Sequence, residues 1–222
     1  MQSKESALNA ILAQGLLPLF FYESPEVSLE IIKSLYKAGV KTLEYTNRGA
    51  AALENFTYLK SELGKEYSDL HLGIGTVKTE EEAKAFIKAG ADYIVSPIVV
   101  PEVGNIAHDA GLLWIPGCFT PTEIHVAQQA SAALIKIFPA NVIGPAFVSS
   151  IKDLFPGQLF IPTGGVEIDK DNISTWFKSG VCAVGMGSKL ISKDVLANKK
   201  YEHLYNSTIK ALELVKSCKN NS

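Results

Sequence analysis

The chain has 222 residues, 47% hydrophobic and 20% charged, with 21 basic against 23 acidic side chains and a net charge of −2. A balance this close to zero excludes a nucleic-acid groove and a polybasic membrane patch, and no apolar run reaches membrane-spanning length. The length suits one large domain or two small ones.

In chain order, a short amphipathic helix is predicted over 6–14, stopped near Gly15. A buried strand follows over 16–22. Ser24-Pro25 opens a helix that ends at Ala38-Gly39, with proline suited to the first turn and glycine to the end. Next come a strand over 40–46, a helix over 50–64 and a strand over 70–76. Thr79 and the acidic run Glu80-Glu81-Glu82 open a helix that stops at Ala89-Gly90. Strand 92–96, helix 101–110 and strand 113–116 continue the pattern. Thr120-Pro121-Thr122-Glu123 then starts a helix to about Ala130. The remaining elements are strand 133–138, helix 144–154, strand 159–162, helix 169–178, strand 181–185 and a C-terminal helix over 199–218.

This is eight strands, each followed by a helix. The junction repeats as Lys37-Ala38-Gly39, Lys88-Ala89-Gly90 and Lys178-Ser179-Gly180. Strict βα alternation predicts a parallel sheet, and eight units favour a closed (β/α)8 TIM barrel over an open doubly wound sheet. The open sheet calls for Gly-x-Gly-x-x-Gly after its first strand; Gly73-Ile74-Gly75-Thr76-Val77-Lys78 lacks the third glycine. No linker interrupts the repeat, so residues 1–222 are expected to form one barrel domain with an extra N-terminal helix. Cys118, Cys182 and Cys218 are odd in number and far apart, and Met1 to Gln14 carries no basic-then-apolar leader pattern. A reducing, cytoplasmic setting without disulfides is therefore expected.

Active residues of such barrels sit at the C-terminal ends of the strands. Lys136 interrupts the apolar strand Leu134-Ile135-Lys136-Ile137-Phe138 and shares a face with Leu134 and Phe138. It either snorkels to solvent or stays inside, where desolvation favours a neutral amine able to form a Schiff base with a carbonyl. Glu44 lies mid-strand on the face of Thr42 and Thr46, where a barrel interior normally takes apolar residues; Lys136 is its obvious partner. That pair is either purely structural or catalytic, and buried pairs stabilise weakly. Arg48 is the chain's only arginine, and its planar fork suits a carboxylate. Gly164-Gly165 and Gly187-Ser188 follow the last two strands, the usual phosphate site of such barrels. His71, His108, His125 and His203 are isolated, so no protein metal site is expected. Cys118 reads as a small buried thiol at a strand end.

The ordered motifs Leu43-Glu44-x-Thr46-x-Arg48, Gly73-x-Gly75-Thr76-Val77, Ile94-Val95-Ser96-Pro97, Pro116-Gly117…Thr120-Pro121-Thr122-Glu123, Lys136-x-Phe138-Pro139-Ala140, Pro162-Thr163-Gly164-Gly165-Val166 and Gly187-Ser188 span Ser6 to Leu196. Together they resemble the 2-keto-3-deoxy-6-phosphogluconate (KDPG) / 4-hydroxy-2-oxoglutarate (KHG) aldolase family. The resemblance implies a class I, metal-independent aldolase without a cofactor, usually a homotrimer, that cleaves a phosphorylated 2-keto-3-deoxy acid to pyruvate and an aldehyde. It implies that Lys136 carries the covalent imine and that Glu44 shuttles protons. Arg48 and Thr76 would hold the carboxylate. Pro97, Phe138 and Thr163 would line the pocket, and Gly164, Gly165, Gly187 and Ser188 would take the phosphate. Departures from the usual pattern touch mainly the substrate-tail end: Asn47-Arg48-Gly49 replaces Leu-Arg-Thr, and Ile98, Met186 and Lys189 replace glycine, glycine and tryptophan. Two rivals stay open on the residues alone, a sugar-phosphate isomerase or epimerase using carboxylate acid/base pairs, and a non-catalytic keto-acid-binding barrel.

Overall fold

The computed structural model describes residues 3–64 and 66–220. Helix α1 (Lys4–Gln14) is capped by the Ser3 hydroxyl, which accepts the Ser6 N–H, and ends at Gly15 in the left-handed region. Then come β1 (Leu16–Phe20), α2 (Pro25–Lys37), β2 (Thr42–Thr46), α3 (Ala52–Leu63) and β3 (His71–Gly75). They are followed by α4 (Glu80–Lys88), β4 (Tyr93–Val95), α5 (Pro101–Asp109), β5 (Leu113–Ile115), β6 (Gly117–Cys118) and α6 (Pro121–Gln129). Next are β7 (Leu134–Ile137), α7 (Ala140–Ile143) and α8 (Pro145–Ile151), which runs into a 3-10 turn (Lys152–Leu154). The chain ends with β8 (Leu159–Pro162), α9 (Lys170–Lys178), β9 (Val184–Met186), α10 (Lys193–Ala197) and α11 (Tyr201–Lys219).

Every ladder is parallel. Six strands pair in the order β5-β4-β3-β2-β1-β9, and three in the order β6-β7-β8. A proline has no N–H to donate, and Pro116 separates β5 from β6; its carbonyl still accepts the Lys136 N–H at 2.8 Å. On the other side the two sheets meet at the Thr163–Gly185 bridge, and the Cys182 N–H donates to the Phe160 carbonyl at 3.0 Å. The closed eight-strand ladder expected from the repeat is thus observed as two curled parallel sheets.

Strand alternation sorts the apolar residues into two cores. Leu43, Tyr45, Leu72, Ile74, Ile94, Trp114, Ile135, Ile137 and Phe160 pack outward under the helices. Leu17, Tyr93, Val95, Leu113, Ile115, Leu134 and Ile161 form the inner core, sealed at the N-terminal end of the strands by Ala7 and Ile11 of α1. Gln14, at the end of α1, locks this plug: its amide donates to the Leu16 and Thr42 carbonyls and its oxygen accepts the Thr42 N–H at 3.2 Å. Apolar filling therefore occupies one end of the inner face. At the other end the inner positions are Glu44, Thr46, Lys136 and Thr163, all buried.

Several boundaries differ from expectation. The first strand stops at Phe20; the helix expected over 144–154 is present as α8 and its 3-10 turn, starting at Pro145 after Gly144 (φ +75), with the unexpected α7 before it. The short α10 has no strong apolar period and was not anticipated. The last strand begins at Val184.

Candidate active site

β7 presents Lys136 to the interior because Ile135 and Ile137, its sequence neighbours, are committed to the outer core. β2 does the same for Glu44, between Leu43 and Tyr45. The two side chains meet: Lys136 Nζ lies 3.8 Å from Glu44 Oε1, and the residues are 6% and 1% exposed. That separation is beyond an N–H···O hydrogen bond. Neither Glu44 oxygen, nor Thr46 Oγ1 one strand-turn further, has a hydrogen-bond partner among the described residues. Buried polar atoms are nearly always paired, so these three orphaned oxygens, two of them on the carboxylate that faces Lys136, mark a place for a polar ligand. The Phe138 ring supplies the apolar wall, its centroid 5.2 Å from Nζ.

Phe138, whose ring lies against Lys136 Nζ, and Thr46, on the strand face of Glu44, stand on the wall of a cavity of about 320 Å³ that is lined also by Arg48, Thr163, Gly164, Gly165, Gly187 and Ser188; Lys136 and Glu44 are not themselves in its lining. This volume suits a small metabolite. Arg48 is exposed, and its guanidinium has no hydrogen bond or ion pair among the described residues, so the fork is uncommitted. Gly164 and Gly165, both on the cavity lining, hold positive φ (103° and 74°), the left-handed region that favours glycine. Lys189 and Lys193 add positive charge at the mouth; Lys189 is paired with Glu167 at 2.6 Å.

Thr76 and Pro97 are not part of this lining. Thr76 follows β3 directly above Glu44's neighbour Gly75, with φ +65, and the Pro97 carbonyl packs against Gly117, the register partner of Lys136. Phe20, Phe21, Ile191, Lys193 and Leu196 line the cavity but were not singled out from the sequence. Reading the end of the first strand as well as the other seven would have found Phe20 and Phe21. Phe21 also explains one departure from the usual motif: a Cβ on Gly49 would stand 2.9 Å from the Phe21 ring, so a larger residue there would push on the cavity wall. Burial pushes the Cys118 thiol up to about 12, with Glu123 adding to it, so it is no nucleophile. Among the described residues no group of three His, Cys, Asp or Glu side chains is placed to hold a metal ion.

The model of the KDPG and KHG aldolase family matches residues 9–207. A probable 2-dehydro-3-deoxy-6-phosphogalactonate aldolase of Rhizobium meliloti is 30% identical over 75% of this chain and 76% of its own length. The 2-dehydro-3-deoxy-phosphogluconate aldolase of Pseudomonas aeruginosa is 28% identical over 96% and 95%. Among solved structures, the 4-hydroxy-2-oxoglutarate/2-dehydro-3-deoxyphosphogluconate aldolase from TTHB1 superposes with a TM-score of 0.80 at 31% identity, over 94% of this chain and 98% of that one. A KDPG aldolase of Legionella pneumophila, solved with pyruvate captured as a covalent carbinolamine, shares the fold (TM-score 0.83, 24% identity, 91% and 96% covered). The family match and the parallel α/β fold place the chain among the aldolases, which are aldehyde-lyases. More particularly, the chain belongs to the KDPG and KHG aldolase family. The isomerase reading finds no support in these matches.

Proposed function

We propose that Lys136 is the Schiff-base lysine and Glu44 its proton carrier, acting on a phosphorylated 2-keto-3-deoxy acid. One observation carries this reading: the buried Lys136 side chain faces, at 3.8 Å, a buried carboxylate that makes no hydrogen bond among the described residues, and Phe138 and Thr46 beside the pair line an open cavity. The amine form of Lys136 adds to C2 of the keto acid. Glu44 moves protons as the carbinolamine loses water to give the iminium. As the C3–C4 bond breaks, its electron pair flows into the iminium to give an enamine. The C4 hydroxyl proton passes to Glu44 and C4 leaves as an aldehyde. Glu44 returns that proton to C3, and water hydrolyses the resulting imine to pyruvate and free amine. All of this uses side chains of the chain itself and neither metal nor cofactor.

Arg48 and Thr76 hold the pyruvyl carboxylate, Pro97, Phe138 and Thr163 shape the pocket, and Gly164, Gly165, Gly187 and Ser188 receive the phosphate. Arg48 and the glycine loop both line the cavity, which supports a substrate anionic at both ends. The phosphorylated sugar acids in the names of the Rhizobium meliloti and Pseudomonas aeruginosa relatives agree with a phosphate tail. We further propose that the two sheets together act as one closed (β/α)8 barrel, joined through Pro116 and the Thr163–Gly185 bridge. A cytoplasmic homotrimer is proposed too: Ile98, Phe119 and Val126 leave apolar surface exposed on neighbouring units. The test is pyruvate release, coupled to lactate dehydrogenase, across phosphorylated and free 2-keto-3-deoxy acids and 4-hydroxy-2-oxoglutarate. Turnover of the phosphorylated acids at the highest kcat/KM is expected; release from none of them refutes the proposal.

A further inference from the structure

We propose that Asn47 and Glu82 are positioning residues: together they bolt the loop that carries Arg48 to the loop that carries Thr76, and so set the spacing of the carboxylate subsite. The inference rests on the assignment of Arg48 and Thr76 to the substrate carboxylate. Asn47 Nδ2 donates to Glu82 Oε1 at 3.0 Å. The other oxygen of the same carboxylate accepts the Lys78 N–H at 2.7 Å and the Thr79 N–H at 3.2 Å. One side chain therefore grips the strand-to-helix loop after Thr76 with one oxygen and the residue before Arg48 with the other.

The fold offers an internal comparison. Helix α6 begins with an equivalent capping box, in which Glu123 Oε2 accepts the Phe119 and Thr120 N–H groups. No side chain from the neighbouring loop reaches that carboxylate among the described residues. Capping a helix thus needs only one of the two oxygens, and at Glu82 the second is given to Asn47. Asn47 is also held by its backbone, since its N–H donates to the Gly75 carbonyl at 2.8 Å. Arg48 follows in a tight turn, its N–H donating to the Thr46 carbonyl at 2.9 Å. On the other side of the strut, Thr76 is a β-branched residue at φ +65, a conformation kept only when its surroundings over-determine it. Val77, bonded to the Val95 carbonyl, and Lys78, bonded to Glu82, supply that restraint. An exposed arginine has many rotamers; fixing its Cα relative to Thr76 narrows where its fork can meet a carboxylate.

The experiment is steady-state kinetics on Asn47→Ala, Arg48→Ala and the double variant, with the best substrate of the screen. Asn47→Ala is expected to raise KM about tenfold, the scale of a lost hydrogen bond to a charged group, with kcat within about twofold. In the Arg48→Ala background the same change should shift KM by less than about twofold, because nothing is left to position. Asn47→Ser, too short to reach Glu82, should repeat the split if the alanine variant folds poorly. An Asn47→Ala KM within twofold of the parent, or an equal KM rise with and without Arg48, overturns the proposal. An Arg48→Ala enzyme with an unchanged KM would instead refute the carboxylate assignment itself.

Discussion

Gly75→Ala tests the geometry of the proton carrier without replacing any reacting group. Gly75 pairs in register with Thr46 on β2, and Glu44 turns its carboxylate into the space where a Cβ would stand. That Cβ would lie 1.8 Å from Glu44 Oε1, 2.4 Å from Cδ and 2.8 Å from Cγ. Reaching even a 3.0 Å contact moves the carboxylate by roughly 1.2 Å. A misplacement of about 1 Å at a catalytic group costs about a hundredfold in rate, or about 2.7 kcal/mol of transition-state stabilisation. The backbone at Gly75 is ordinary extended strand, so alanine is otherwise acceptable there. Overpacking of this kind costs about 1–3 kcal/mol of stability, with about 2–4 °C of Tm per kcal/mol in a chain of this size. The assay is kcat for pyruvate release alongside a thermal melt. A fall in kcat of about a hundredfold, with a folded protein, is expected, and in a Glu44→Ala background the glycine change should have almost no further effect on rate. Near-parental kcat in folded Gly75→Ala would refute the claim that Glu44 must stand where it does.

Three further outcomes follow. Glu167 holds Lys189 at 2.6 Å at the cavity mouth, so Lys189→Ala should raise KM severalfold for phosphorylated acids and leave 4-hydroxy-2-oxoglutarate unaffected, while Glu167→Gln should lower the former; equal effects on both substrates in competition kinetics would count against a phosphate role. Cys118, with its thiol pushed up to about 12 by burial, should resist iodoacetamide at pH 8 in the folded protein and react only on unfolding, as followed by mass spectrometry; rapid labelling in the native state would contradict its burial. His71 and His108 are held below the ordinary 6.5, first by burial. As pH falls below 6.5 the unfolded chain takes up protons before the native one, so stability present above 6.5 is lost on acidification. The urea midpoint should drop between pH 6.5 and 5.5, less steeply in His71→Gln; a flat profile would refute neutral native imidazoles.

The repeat was legible because each unit carries its own punctuation. Ser24-Pro25, Thr79 with Glu82, and Thr120 with Glu123 are caps whose chemistry is local, and all three are made as read. The Lys136–Glu44 pair was legible for a related reason: a charged residue at an inward position of an apolar strand has few other places to find a partner. What escaped was set by tertiary contact. Pro116 was read as a strand end, yet its missing N–H is what splits one strand into two ladders. Asn47 looked like a mere departure from Leu-Arg-Thr, and its role depends on Glu82, thirty-five residues away, having an oxygen to spare. Phe21 and Gly49 are likewise meaningful only as a pair.

The central claim is tested most directly by borohydride reduction in the presence of pyruvate, followed by peptide mapping. A single reduced adduct on the peptide containing Lys136, absent from Lys136→Arg, is the predicted result. An adduct on another lysine, or none with an enzyme that still releases pyruvate, would contradict the assignment of this interior amine as the nucleophile.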